Sequence, residues 1–68
     1  MSFYKHMKYT DGSGDGQHGP FPTRAGVVEA ARHAISSQQR LCGRTFVDHG
    51  SDTWTSTDGQ VEIWIEEH

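Results

Sequence analysis

The 68-residue sequence predicts a small α+β domain of order β-α-β-β-β, an antiparallel sheet with a single amphipathic helix packed on one face. Three observations lead there. A segment near the N-terminus alternates like a strand, a middle segment repeats its apolar residues at helical spacing, and the C-terminal third holds two β-prone runs joined by Asp58-Gly59.

The first strand is read over residues 3–10. Phe3, Met7 and Tyr9 share a face with Lys5, while Tyr4, His6, Lys8 and Thr10 take the other. Residues 11–20 contain four glycines and read as loop, because glycine is costly to hold in a regular element. The helix follows, from Thr23 to about Gln39, with the Thr23 hydroxyl as N-cap. At 100° per residue, Val27, Val28, Ala31, Ala34, Ile35 and Gln38 form one stripe. Glu29, Arg32, His33, Ser36 and Arg40 lie opposite, and Gly43 is placed to stop the helix.

A short second strand is expected over residues 44–48, then a loop over 49–52. Thr53–Thr57 and Gln60–Glu66 flank Asp58-Gly59, a dipeptide suited to a two-residue turn in which both residues have positive φ. That register sets Trp54 opposite Ile63 and Ser56 opposite Val61. Val61, Ile63 and Ile65 alternate with Glu62, Trp64 and Glu66, so the aliphatic side is the buried one and Trp54 joins it. Trp64 is then left on the opposite face beside Thr53, Thr55, Glu62 and Glu66, with no second helix to cover it.

A chain of this length makes one domain and buries only about 60% of its unfolded surface. Little volume remains for an enclosed pocket beside a core, and a non-enzymatic function is expected. Cys42 is the single cysteine, which excludes an internal disulfide and fits a reducing compartment. No apolar run approaches the roughly 20 residues that span a bilayer, and the N-terminus lacks the apolar stretch of a signal peptide. A soluble, cytoplasmic protein without a membrane partner is expected.

Charge is unevenly spread. Residues 1–45 hold all six basic residues against Asp11, Asp15 and Glu29, whereas residues 46–68 hold six acidic residues and no Lys or Arg. Such polarity does not suit a direct nucleic-acid binder with one dominant basic field. It suits a surface that complements a charged protein partner, or two halves that neutralise each other in the fold.

Trp64 is the leading candidate for partner binding, as a large aromatic on an open sheet face. Glu62, Glu66 and Asp58 would supply charge complementarity. Tyr4 and His6 would extend the surface if the first strand joins the same sheet, and Arg32 and Arg40 form a separate helical surface. The alternatives are that Trp64 packs against Tyr4 or a loop as a cross-strand pair, or that the open face joins two copies in a homodimer.

Other motifs carry less. Asp11–Gly16 matches the opening of an EF-hand loop, but its twelfth position is Pro22 in place of a bidentate glutamate, so a solvated turn is expected. The five histidines and Cys42 lack the paired spacing of structural zinc sites and read as ordinary surface residues. A nucleophile arrangement of Cys42, His49 and Asp48 or Asp52 has nothing to activate the thiol. The glycine loop lacks the lysine and preceding apolar strand of a phosphate loop. No catalytic residue, metal or cofactor is expected.

One resemblance adds to this reading. Over residues 23–66, the helix end Ser36-Ser37-Gln38-Gln39, Gly43 at the turn, and Trp54, Asp58-Gly59 and Trp64 in the terminal hairpin resemble short phage-encoded anti-CRISPR proteins that inhibit type I surveillance complexes. The resemblance implies a small cytoplasmic inhibitor of a bacterial host that binds and blocks a nucleic-acid-handling complex. A similar member presents a basic surface, whereas the hairpin here is acidic, and no contact residue is carried over.

Overall fold

The computed structural model describes residues 1–12 and 14–68. Five strands and one helix follow in the order β1 (Phe3–Tyr9), β2 (Asp15–Phe21), α1 (Arg24–Cys42), β3 (Phe46–Asp48), β4 (Thr53–Ser56) and β5 (Val61–Glu67). The expected α+β architecture holds, with the helix on an antiparallel five-stranded sheet of order β2-β1-β5-β4-β3.

The helix starts and stops where its end residues dictate. The Thr23 hydroxyl accepts the Gly26 amide at 3.1 Å. At the other end Gly43 adopts φ 67°, and its amide returns to carbonyls of the last turn. The helix runs through Cys42, a few residues beyond Gln39, because nothing before the left-handed Gly43 interrupts it. Gln38 ties it down, reaching the Tyr9 hydroxyl at 3.2 Å and accepting from the Arg44 guanidinium at 2.7 Å.

Val27 and Ala31 of α1 and Trp54, Val61 and Ile63 of the sheet are buried. Met7, Tyr9, Ala34, Ile35, Phe46 and Ile65 pack around the cluster of Ala31, Trp54, Val61 and Ile63. Ala31 has no exposed surface, and its small side chain lets the helix backbone come close to the strands. Lys5 does face this core, and burial pushes its amine below the usual lysine range.

One correction concerns residues 11–20, which the glycine content assigned to loop. Residues 15–21 form β2, antiparallel to β1. The strand needs no apolar face because it is an edge held by backbone bonds, where a proline such as Pro20 is also tolerated. The turn into it closes with the Tyr9 amide on the Gly14 carbonyl at 2.9 Å. Asp15 and Gly16 therefore lie in a ladder, paired with Lys8 and Met7, and not in a calcium loop. Ser13, the third residue of that matched segment, lies outside the described residues.

The terminal hairpin has the expected register, with Trp54 opposite Ile63. Its turn differs. Gly59 alone takes positive φ, at 73°, and the Gly59 amide bonds the Ser56 carbonyl at 3.0 Å. A four-residue loop, 57–60, replaces the two-residue turn. The reason is side-chain capping. The Ser56 hydroxyl donates to the Asp58 carboxylate at 2.6 Å and accepts the Gln60 and Val61 amides at 3.0 and 2.9 Å.

Asp58 is accordingly held at a pKa of about 2, chiefly by the Ser56 hydroxyl, then by the Gln60 amide and Arg44. A carboxylate whose folded value lies below its unfolded value of about 4 stabilises the fold while ionised. That contribution is complete above about pH 4 and is lost as the pH falls toward 2. Urea unfolding across this window should show stability falling with pH in the wild type. Asp58→Asn should start less stable at neutral pH and lose less on acidification, and an equally steep fall would exclude Asp58 as the source.

Candidate functional site

The helix covers one face of the sheet and leaves the other open. Seven register pairs join β1 to β5, among them Tyr4 with Glu66, His6 with Trp64 and Lys8 with Glu62. Because Met7, Tyr9, Val61, Ile63 and Ile65 face the helix side, strand alternation turns Tyr4, His6, Lys8, Glu62, Trp64 and Glu66 outward. Thr53 and Thr55 of β4 continue the face beside Trp64 and Glu62.

Its centre is an aromatic stack. The His6 and Trp64 rings lie 5.2 Å apart and within 6° of parallel. Next to it, Glu66 is shared among three groups. The Trp64 indole donates to Glu66 Oε1 at 3.0 Å, His68 Nε2 lies 3.0 Å from Oε2, and His6 Nε2 lies 3.3 Å from the same oxygen. The indole bond and then His68 hold the Glu66 carboxyl below its usual range. Tyr4 closes the edge, its ring meeting His68 edge-on at 5.3 Å. On the other side a hollow of about 210 Å³ is lined by His6, Met7, Lys8, Asp15, Gly16, Gln17 and Trp64.

The structure thus brings together five of the eight residues singled out for partner binding: Trp64, Glu62, Glu66, Tyr4 and His6. Trp64 does make a cross-strand ring pair, with His6 and not with Tyr4. Asp58 is not on this face, and its carboxylate serves the hairpin turn and the Arg44 guanidinium, 3.1 Å away. Arg32 and Arg40 are exposed on α1, across the sheet from the stack. Arg24 pairs with Asp52 at the loop between β3 and β4.

Cys42 is exposed in the last turn of α1, while His49 bonds the Thr55 hydroxyl at 2.6 Å. His68 was missed by the sequence reading. Its spacing of two from Glu66, just past the end of β5, was the available signal, since extended chain places such residues on one face.

No protein-family model, curated protein or solved structure matches this chain. Among the described residues, no helix is long and apolar enough to cross a membrane.

Proposed function

We propose that this domain is a non-enzymatic interaction module that docks a protein partner on its open sheet face. One observation carries the reading: the half-buried Trp64 ring, fixed against His6, stands at the centre of a face that no element among the described residues covers. A rigid aromatic loses little conformational freedom on binding, which is why tryptophan so often anchors interfaces. Glu62 and Glu66 border it and favour a basic partner surface.

The resemblance to anti-CRISPR proteins supplies the partner class: a type I CRISPR surveillance complex, blocked in the cytoplasm of a bacterial host by steric or electrostatic occlusion. Direct nucleic-acid contact and catalysis form no part of the reading.

The test is co-elution with purified type I complexes, using wild type, Trp64→Ala and the exposed charge reversal Glu62→Lys. Wild type should co-elute. Trp64→Ala should weaken binding by at least about 2 kcal/mol, roughly 30-fold, and Glu62→Lys should slow association. A wild-type chain that ignores every complex overturns the inhibitor reading. A stable dimer that buries Trp64 in light scattering would assign the face to a second copy instead.

A further inference from the structure

We propose that His6, Glu66 and His68 form a binding site for a divalent transition metal of the zinc class. Among the described residues, this is the one set of three His, Cys, Asp or Glu side chains whose donor atoms all lie within 4.8 Å of one another. Two imidazoles and one carboxylate are a recognised zinc donor set, and one that hard cations such as magnesium or calcium do not favour.

The spacing fits as well as the chemistry. Ligands at about 2.0–2.1 Å from a tetrahedral ion stand about 3.4 Å apart. Glu66 Oε2 lies 3.3 Å from His6 Nε2 and 3.0 Å from His68 Nε2. The remaining edge, between the two imidazoles, must tighten, and His68 has the room to do so, with 60% of its side chain exposed against 17% for His6.

Two further observations point to a ligand. His6 Nε2 is buried and has no hydrogen-bond partner among the described residues, although the Glu66 oxygen lies near enough for an ion pair. A buried donor or acceptor left this way carries a desolvation cost that a bound cation would relieve. The outer groups also orient the donors. The Trp64 indole N–H occupies Glu66 Oε1 and leaves Oε2 to the histidines, while the Trp64 and Tyr4 rings hold the two imidazoles. Backbone bonds of 2.8 Å in both directions between Ser2 and His68 anchor the third ligand. Three protein ligands leave a fourth position open to water or to an outside donor.

The site goes beyond the docking proposal and does not depend on it, because it is tested on the isolated chain. Zinc chloride titrated into the 68-residue chain should give saturable heat for one ion per chain, with micromolar affinity, and cobalt should give the visible bands of a tetrahedral site. His68→Gln, at an exposed position, should weaken zinc binding at least tenfold. Trp64→Phe keeps a stacking ring but removes the indole N–H, and should cost about tenfold or more. His33→Gln on the helix should change nothing. Circular dichroism checks that each variant is folded. Absence of saturable binding to the wild type overturns the proposal, as does undiminished affinity in His68→Gln. Magnesium binding as tightly as zinc would overturn the assigned metal class.

Discussion

Ile63→Ala is expected to leave the domain near or below the limit of stable folding. Ile63 is fully buried in the centre of the cluster, in a strand flanked by neighbours on both sides. Truncating such a side chain costs about 2–5 kcal/mol, from lost transfer energy and from the cavity left behind. A 68-residue domain holds roughly 3–10 kcal/mol in all. At about 4–8 °C per kcal/mol for a domain of this size, the melting temperature should fall by about 8 °C or more. The Trp54 ring packs in the same cluster, so fluorescence and far-ultraviolet dichroism should report one coincident transition. Ile63→Val should cost only about 0.5–1.5 kcal/mol. A loss below about 1 kcal/mol for the alanine variant would mean that the core does not rest on this residue.

Gly19→Ala should be the second most damaging small change, on a strand that has almost no apolar side chain. Gly19 sits at φ 146°, a region that side-chain-bearing residues rarely enter. A Cβ there would stand 2.8 Å from the Tyr4 ring and 2.9 Å from the Phe3 carbonyl oxygen. The ring could swing away, but the carbonyl belongs to the backbone of β1. Strain and overpacking of this kind each cost about 1–3 kcal/mol, so β2 should detach or the whole domain should lose about 2–6 kcal/mol. Gly16→Ala is the matched control, since Gly16 lies in the same strand with open space at its Cβ position. Amide exchange of β2 should rise sharply in Gly19→Ala and hardly change in Gly16→Ala. Equal behaviour of the two would exclude the close approach to β1 as the cause. Displacing the Tyr4 ring would also unseat the edge of the open face, because that ring meets His68.

Local chemistry accounts for much of what was legible. Thr23 and Gly43 mark the helix ends because a hydroxyl cap and a left-handed stop act within one turn. The β4–β5 register follows from period-two alternation, which separates Ile63 from Trp64 whatever else the chain does. The type of turn between those strands was not legible. It depends on the Ser56 hydroxyl and the Asp58 carboxylate both accepting the Gln60 amide, and that arrangement outweighs the usual preference of Asp-Gly. Strand β2 was hidden for another reason. Its residues carry no periodic signal, and it forms because β1 offers an unpaired edge.

By itself, the sequence determined the fold class, the helix with its caps, the identity of the core face and the placement of Trp64 on the other face. These follow from short-range periodicity and from which residues water expels. Only the tertiary structure decided that the first and last strands lie side by side at the middle of the sheet. That pairing joins residues almost a whole chain apart, and no local pattern encodes it. It alone places His6 against Trp64 and within reach of Glu66 and His68, so histidines that read singly as surface residues become one cluster. A site of this kind is set by strand order, a cooperative outcome of pairing both edges of β1 and β5 with neighbours, and not by spacing along the chain.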